Sequence, residues 1–190
     1  MAAERLARAA LLAAALALSL GAATWLGTAA SGDPDDAPRP GQETDVPTGQ
    51  ATQVKDGDSF VLRTGDGTVI QVRIAGIDAP EAGQAWADAS RRHLSERLSG
   101  CTLRLSPQKI DPFGRTVAAV HCDERDVGLE QLRAGLAWHF RRYAREQAEA
   151  QRIAYADAEA KARSERIGLW QDERPLEPWK YREQHRRAAR

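Results

Sequence analysis

Residues 54–81 read VKDGDSFVLRTGDGTVIQVRIAGIDAPE, and this stretch decides the fold. Ser59-Phe60-Val61-Leu62-Arg63 has the aromatic and β-branched content of a short strand. Thr64-Gly65-Asp66-Gly67 follows, a hairpin turn built of residues that tolerate positive φ. Val69 to Ala75 alternates and predicts the return strand; Gly76 permits a bend, and Pro80 ends any ladder. The same stretch carries chemistry at its strand ends: Asp56-Gly57-Asp58 before the first strand, Arg73 within the second, and Asp78-Ala79-Pro80-Glu81 after it.

Working outward, Ala85 to Leu98 has helical spacing and is stopped by Gly100. Thr102–Leu105 and Val117–His121 predict a second hairpin around Asp111-Pro112-Phe113-Gly114-Arg115. Leu129–Ala137 and Arg145–Arg166 predict two further helices, the second rich in Ala, Glu, Gln and Arg with a largely solvated face. Leu169-Trp170 are expected to pack back onto the body, and Pro175, Pro178 and Trp179 to form a strap over the core. About five short strands plus three helices is an α+β chain, mainly a small β-barrel with helices on one side.

The ends read differently. Arg5 and Arg8 precede the Ala/Leu-rich run Ala9–Leu26 and the small residues Gly27-Thr28-Ala29-Ala30. Residues 1–30 are therefore expected to be a signal peptide or an uncleaved membrane anchor, placing the rest outside the cytoplasm. The product is periplasmic, secreted or tethered to a membrane. Residues 31–50 are rich in Pro, Gly and Asp without apolar periodicity and predict a linker, with order beginning near Ala51. Residues 181–190 read as a basic tail after a domain spanning 51–180. Basic and acidic residues number 27 each, but the first 50 residues hold three of the bases and six of the acids, so 51–190 carries a net charge of about +3. That excess suits an anionic polymer without proving one. Cys101 and Cys122 flank the second hairpin turn on opposite arms, and with export this predicts one disulfide over two separate thiols.

Four carboxylates (Asp56, Asp58, Asp78, Glu81) and two guanidiniums (Arg73, Arg115) within about 60 residues are the parts for metal-assisted phosphodiester cleavage. Each has a plainer reading alone. Asp56-Gly57-Asp58 makes a solvated turn, Arg73 pairs with Glu81 for stability, and Arg115 caps its own turn. The four histidines (His93, His121, His139, His185) match no common zinc spacing. Trp138 and Phe140 are assigned to the core, whereas Phe113 at a turn tip is free to stack on a base.

The ordered set VKDGDSFVL…VRIAGIDAPE…DPFGRTVAAV…GLAWHFRRY…GLW, from Val54 to Trp170, resembles the staphylococcal nuclease (thermonuclease) family, a five-stranded OB-fold barrel with three α-helices. The resemblance implies calcium-dependent hydrolysis of DNA and RNA, other divalent metals being admissible, with 3′-phosphate ends. It implies Asp58, Asp78 and the Ala79 carbonyl as metal ligands, and Asp56 as nearby charge. It implies Glu81 as the carboxylate that positions or activates water, Arg73 and Arg115 as the phosphate grips, and Phe113 and Tyr143 as aromatics beside the nucleotide. Ser59 and Ala79 stand where the family commonly has Thr, and Phe113 where it has Tyr. The segment Ala82-Gly83-Gln84 is shorter than the founding member's loop. A monomer is expected. The rival readings are a catalytically silent nucleic-acid- or protein-binding barrel, and a structural protein of the cell envelope.

Overall fold

The hairpin read over 59–75 is present in the structure, a computed structural model that describes residues 46–188. The export segment and residues 31–45 of the expected linker lie outside the described residues. Order starts earlier than Ala51: β1 (Thr48–Val54) is a strand, with the Pro47 carbonyl accepting from the Leu105 N–H at 2.9 Å. Its sequence carries little apolar signal, so partner strands supply what local propensity does not.

Then come β2 (Ser59–Thr64), β3 (Val69–Ile74) and, after the bend at Gly76, the two-residue β4 (Ile77–Asp78). α1 (Ala87–Leu98) precedes the second hairpin, β5 (Leu103–Ile110) and β6 (Thr116–Cys122). β5 runs past Pro107, where Leu105 was the expected end, because an irregularity between Pro107 and Lys109 absorbs the missing donor. β7 (Arg125–Asp126) leads into α2 (Val127–Arg133). α2 starts two residues before the expected Leu129, since the Asp126 carboxylate caps it by accepting from the Leu129 N–H at 3.0 Å. It ends before Gly135, whose positive φ and contact with Ile167 leave no room for a side chain.

β8 (Trp138–His139) follows, then a 3₁₀ turn over Arg141–Glu146 and α3 (Glu149–Ser164). The helix expected from Arg145 begins only at Glu149, because Gln147 is extended and its side chain bonds the His139 ring at 2.9 Å. α3 buries Tyr155, Ala158, Glu159 and Ala162, so it is more than a solvated face. Residues 181–188 are not a tail. Pro178–Ala188 form a fourth helix, α4, begun by a proline whose fixed φ suits the first helical position. None of the helices among the described residues is long and apolar enough to cross a membrane.

The five long strands run in the order β3-β2-β1-β5-β6, and a parallel β3–β6 pairing closes them into a barrel. β7 extends the β6 edge, and β4 pairs with β8 in a small second sheet. This is the expected α+β barrel with helices. Phe60, Leu62, Val72, Leu103, Leu105 and Val120 fill it, under Leu94, Leu132 and Tyr155 from the helices. Trp138, Leu169 and Trp170 form a second cluster against which Trp179 packs, so Leu169-Trp170 do return to the body. Cys101 and Cys122 are joined, with sulfurs 2.05 Å apart, across the base of the β5–β6 hairpin.

Candidate active site

Register brings the chemistry together. Arg73 on β3 lies opposite Ser59 on β2 and beside Val117 on β6, so Asp58, Arg73 and the start of β6 share one end of the barrel. β4 carries Asp78 to the same end, braced by β8 through Asp78↔Trp138.

Asp58 is fixed from several sides. Its carbonyl accepts from the Ile74 N–H at 2.8 Å, and its own N–H donates to Asp56 Oδ1 at 3.0 Å. Its carboxylate accepts from the Ala79 N–H at 2.6 Å. Asp56 also accepts from the Ser59 hydroxyl at 2.7 Å, so it builds the turn and places a charge nearby. Beneath lies a buried polar layer absent from the sequence reading. Gln131 Nε2 donates to the Gly57 carbonyl at 2.6 Å and to the Ser90 carbonyl at 3.2 Å, while the Ser90 hydroxyl donates to the Leu136 carbonyl at 2.7 Å. A Cβ on Gly57 would sit 1.8 Å from Ser90 Oγ and 2.7 Å from Ala79 Cβ. Gly57→Ala is therefore expected to destabilise the fold by about 1–3 kcal/mol, the usual cost of overpacking. Chemical denaturation measures this, and unchanged stability would mean the Ser90–Gln131 layer yields freely.

Arg73 bridges the two candidate ligand carboxylates: Nη1 is 3.1 Å from Asp58 Oδ2, and Nη2 is 2.8 Å from Asp78 Oδ1. Nη1 also donates to the carbonyls of Ile74 and Ile77, and the side chain is only 12% exposed. Arg73 does not take Glu81 as partner. That carboxylate pairs with Arg182 on α4, whose guanidinium also forks onto Asp78 at 2.8 and 3.2 Å. Burial opposes the Arg182 charge, but the hydrogen bonds and charges of Asp78 and Glu81 outweigh it and hold the guanidinium more firmly protonated than usual. Sequence reading missed Arg182 because it was placed in a tail; Pro178 was the signal that could have marked a helix start.

Arg115 stands at the start of β6, its guanidinium forked onto Asp111 with Nε and Nη2 each at 2.8 Å. Asp111 Oδ1 also accepts from the Phe113 and Arg115 N–H groups, each at 2.9 Å. So Arg115 is both a turn residue and a wall of the cleft described below. Burial pushes the Asp111 carboxyl up, but the Arg115 backbone and side-chain donors, then the Phe113 N–H and the Arg115 charge, hold it below the usual range. A depressed folded value means the turn's stabilisation is complete above the ordinary aspartate value of about 3.9 and is lost as pH falls through the lower folded value. Thermal melting against pH should accordingly show a shallower acid loss in Asp111→Asn than in the native chain; parallel curves would remove Asp111 from that account.

A cleft of about 1220 Å³ is lined by Asp58, Arg73, Asp78, Glu81 and Arg115, with Phe113 and Tyr143 further along it. Phe113 is 82% exposed at the turn tip, 5.5 Å from the Arg115 guanidinium. Tyr143 packs edge-on to Phe140, under Lys109 Nζ at 4.2 Å. Trp138 is buried in the second core cluster as expected, whereas Phe140 is only half-buried, stacking on Trp179 at the wall of the cleft. His139 is buried as well, its Nε2 bonded to Gln147 at 2.9 Å while its Nδ1 has no partner among the described residues.

The donor chemistry fits a hard divalent cation. Burial pushes the Asp58 carboxyl well above the usual range; Arg73 pulls it back, the charges of Asp56 and Asp78 push it further, and the Ala79 N–H pulls down. Such a carboxylate is short of positive charge. Here guanidiniums stand in: Arg73 on Asp58 and Asp78, Arg182 on Asp78. Among the described residues no three His, Cys, Asp or Glu side chains converge into a cage. The fit is to an open site, with Asp58 and Asp78 leaving most positions to water and phosphate oxygens. Ala79 meets Asp58 through its N–H.

Residues 71–172, more than half of the chain, match the family model described as staphylococcal nuclease homologue. The chain belongs to the staphylococcal nuclease family. Among its relatives is an uncharacterized endonuclease of Haemophilus influenzae, 34% identical over 117 residues, 62% of each chain. A micrococcal nuclease of Shigella flexneri is 32% identical over 129 residues, covering 63% of this chain and 72% of that one. A staphylococcal-like nuclease of Arabidopsis thaliana is 31% identical over 116 residues, 61% of this chain and 34% of that one. The chain thus spans less than two thirds of the Haemophilus relative and about a third of the plant one. Within the staphylococcal nuclease match lie Arg73, Asp78, Glu81 and Arg115; α4, with Arg182, lies beyond it.

Proposed function

We propose that the protein is an exported, divalent-metal-dependent nuclease, with calcium as the working ion, that hydrolyses DNA and RNA with little sequence preference. The observation carrying this reading is the placement of Asp58, Arg73, Asp78, Glu81 and Arg115 on one cleft. Asp58 and Asp78 would hold the ion, with the Ala79 carbonyl as a further ligand. When bound, the ion would polarise water and offset charge on the phosphate. Arg73 and Arg115 grip the scissile phosphate and stabilise the charge that grows on its oxygens. Glu81 orients water and accepts its proton as the new P–O bond forms and the bond to the 5′ oxygen breaks, that oxygen taking a proton from solvent. Phe113 and Tyr143 offer faces to the flanking bases. Phosphate contacts dominate affinity, so binding weakens steeply with salt.

Export is supported by the 1–30 sequence and by the Cys101–Cys122 bridge, which suits an oxidising compartment. A monomer is the matching assembly, touching membrane only where the N-terminal segment is retained as an anchor rather than cleaved. The test is to incubate the full-length protein with single-stranded DNA and with RNA in calcium. Cleavage to 3′-phosphate ends that stops on adding chelator is expected. Binding without cleavage under every divalent metal tried would favour a silent binding barrel.

A further inference from the structure

Arg182 occupies a position the family match does not reach. The match ends at residue 172, whereas α4 starts at Pro178. Yet a side chain on α4 makes the closest contacts to Glu81 and to one oxygen of Asp78. Asp78 Oδ1 accepts from Arg73 Nη2 at 2.8 Å and from Arg182 Nη1 at 3.2 Å, and Oδ2 accepts from Arg182 Nη2 at 2.8 Å. A carboxylate offers about four lone-pair sites, so three are already taken. Glu81 shares Arg182 Nη1. One site on Asp78 is left, so a cation that binds Asp78 through both oxygens, or takes Glu81 as well, displaces a guanidinium.

The two guanidiniums are not equally fixed. Arg73 rises from a barrel strand, is held by Asp58 and two backbone carbonyls besides Asp78, and is nearly buried. Arg182 is 38% exposed, and among the described residues its acceptors are the two carboxylates. Its helix is lightly attached: Pro178 is the one α4 residue buried, Trp179 rests against Phe140 and Trp138, and the Tyr181 hydroxyl reaches the Ala82 carbonyl at 3.3 Å. Of the two, Arg182 is the one that can leave without opening the barrel.

We propose that Arg182 is a built-in counter-cation of the metal-site carboxylates, with which a divalent ion competes, so that α4 is a latch on the metal-free enzyme. This rests on reading Asp58 and Asp78 as the ligand carboxylates. Arg182 forked on Asp78 withdraws that residue from the ion, and its contact with Glu81 withdraws the water-orienting carboxylate at the same time. Ion and guanidinium compete for the same oxygens, so each weakens the hold of the other. The latch makes the free protein poor in metal affinity and ties activation to the local cation concentration.

The test is calorimetric titration of calcium alone into the full-length protein and its Arg182→Ala and Arg182→Gln variants, with hydrogen exchange over 178–188. Each variant is expected to bind calcium about tenfold tighter than the native chain, a coupling in the range typical of two linked sites. Calcium should speed exchange of the α4 amides in the native chain, and both variants should show that faster exchange without calcium. Far-ultraviolet dichroism confirms that each variant is folded, and Gln keeps the side chain's bulk if Ala does not tolerate the site. Equal or weaker calcium affinity in the folded variants, with α4 exchange indifferent to calcium, overturns the latch and leaves the metal reading intact. No calcium binding by any of the three proteins overturns the metal reading and the latch with it.

Discussion

Arg73→Ala and Arg115→Ala are each expected to lower the rate of single-stranded DNA cleavage by a hundredfold or more. Losing one donor that stabilises transition-state charge costs on the order of 3 kcal/mol, about two powers of ten in rate. The two variants should differ in folding even if they agree in rate. Arg73 is the guanidinium on buried Asp58 and shares Asp78 with Arg182, so its removal leaves Asp58 uncompensated and lowers the melting temperature of the metal-free protein. Arg115 is paired with one aspartate of a surface turn, so its loss should cost little stability. Steady-state cleavage and thermal melting on the same samples separate the two effects. A double variant that still cleaves at the native rate would place the chemistry elsewhere.

The largest stability effect is expected at the disulfide. The Cys101–Cys122 bridge closes a span of 21 residues enclosing the whole β5–β6 hairpin. Opening it frees the unfolded chain and should cost about 3 kcal/mol by the loop-closure relation. Cys122 is also buried in the barrel core, so a Ser there adds an unsatisfied hydroxyl, and reductant on the native chain is the cleaner comparison. Melting with and without reductant should show a clear drop. An unchanged midpoint would mean that barrel closure through β3–β6 already supplies the hairpin's order.

What could be read from sequence was local. The 59–75 hairpin, the Asp-Pro-Phe-Gly turn and the acids at strand ends are encoded within a few residues of where they act, by alternation and by turn chemistry. The first three residues of β1 were read as linker because Thr48-Gly49-Gln50 carry no apolar pattern; they are strand because β2 and β5 offer them partners. The start of α2 was misread through Asp126, whose capping role shows only once the Leu129 N–H is seen to need an acceptor. The Gln131–Ser90 layer and the Arg182 fork join residues 41 and 104 positions apart, and no spacing rule reaches that far. α4 escaped because a strongly charged helix with one buried residue has no apolar stripe to announce it. The missed contacts are long-range polar ones, and they are what tune the site.

One measurement bears most directly on the claim that cation and phosphate meet in a single cleft. Calcium is titrated into the full-length protein with and without a saturating single-stranded phosphorothioate tetranucleotide, which resists cleavage. If Asp58 and Asp78 hold the ion beside the phosphate gripped by Arg73 and Arg115, calcium affinity should rise about tenfold or more in the presence of the oligonucleotide, and oligonucleotide affinity should rise equally with calcium. Calcium and oligonucleotide affinities that ignore one another would contradict it.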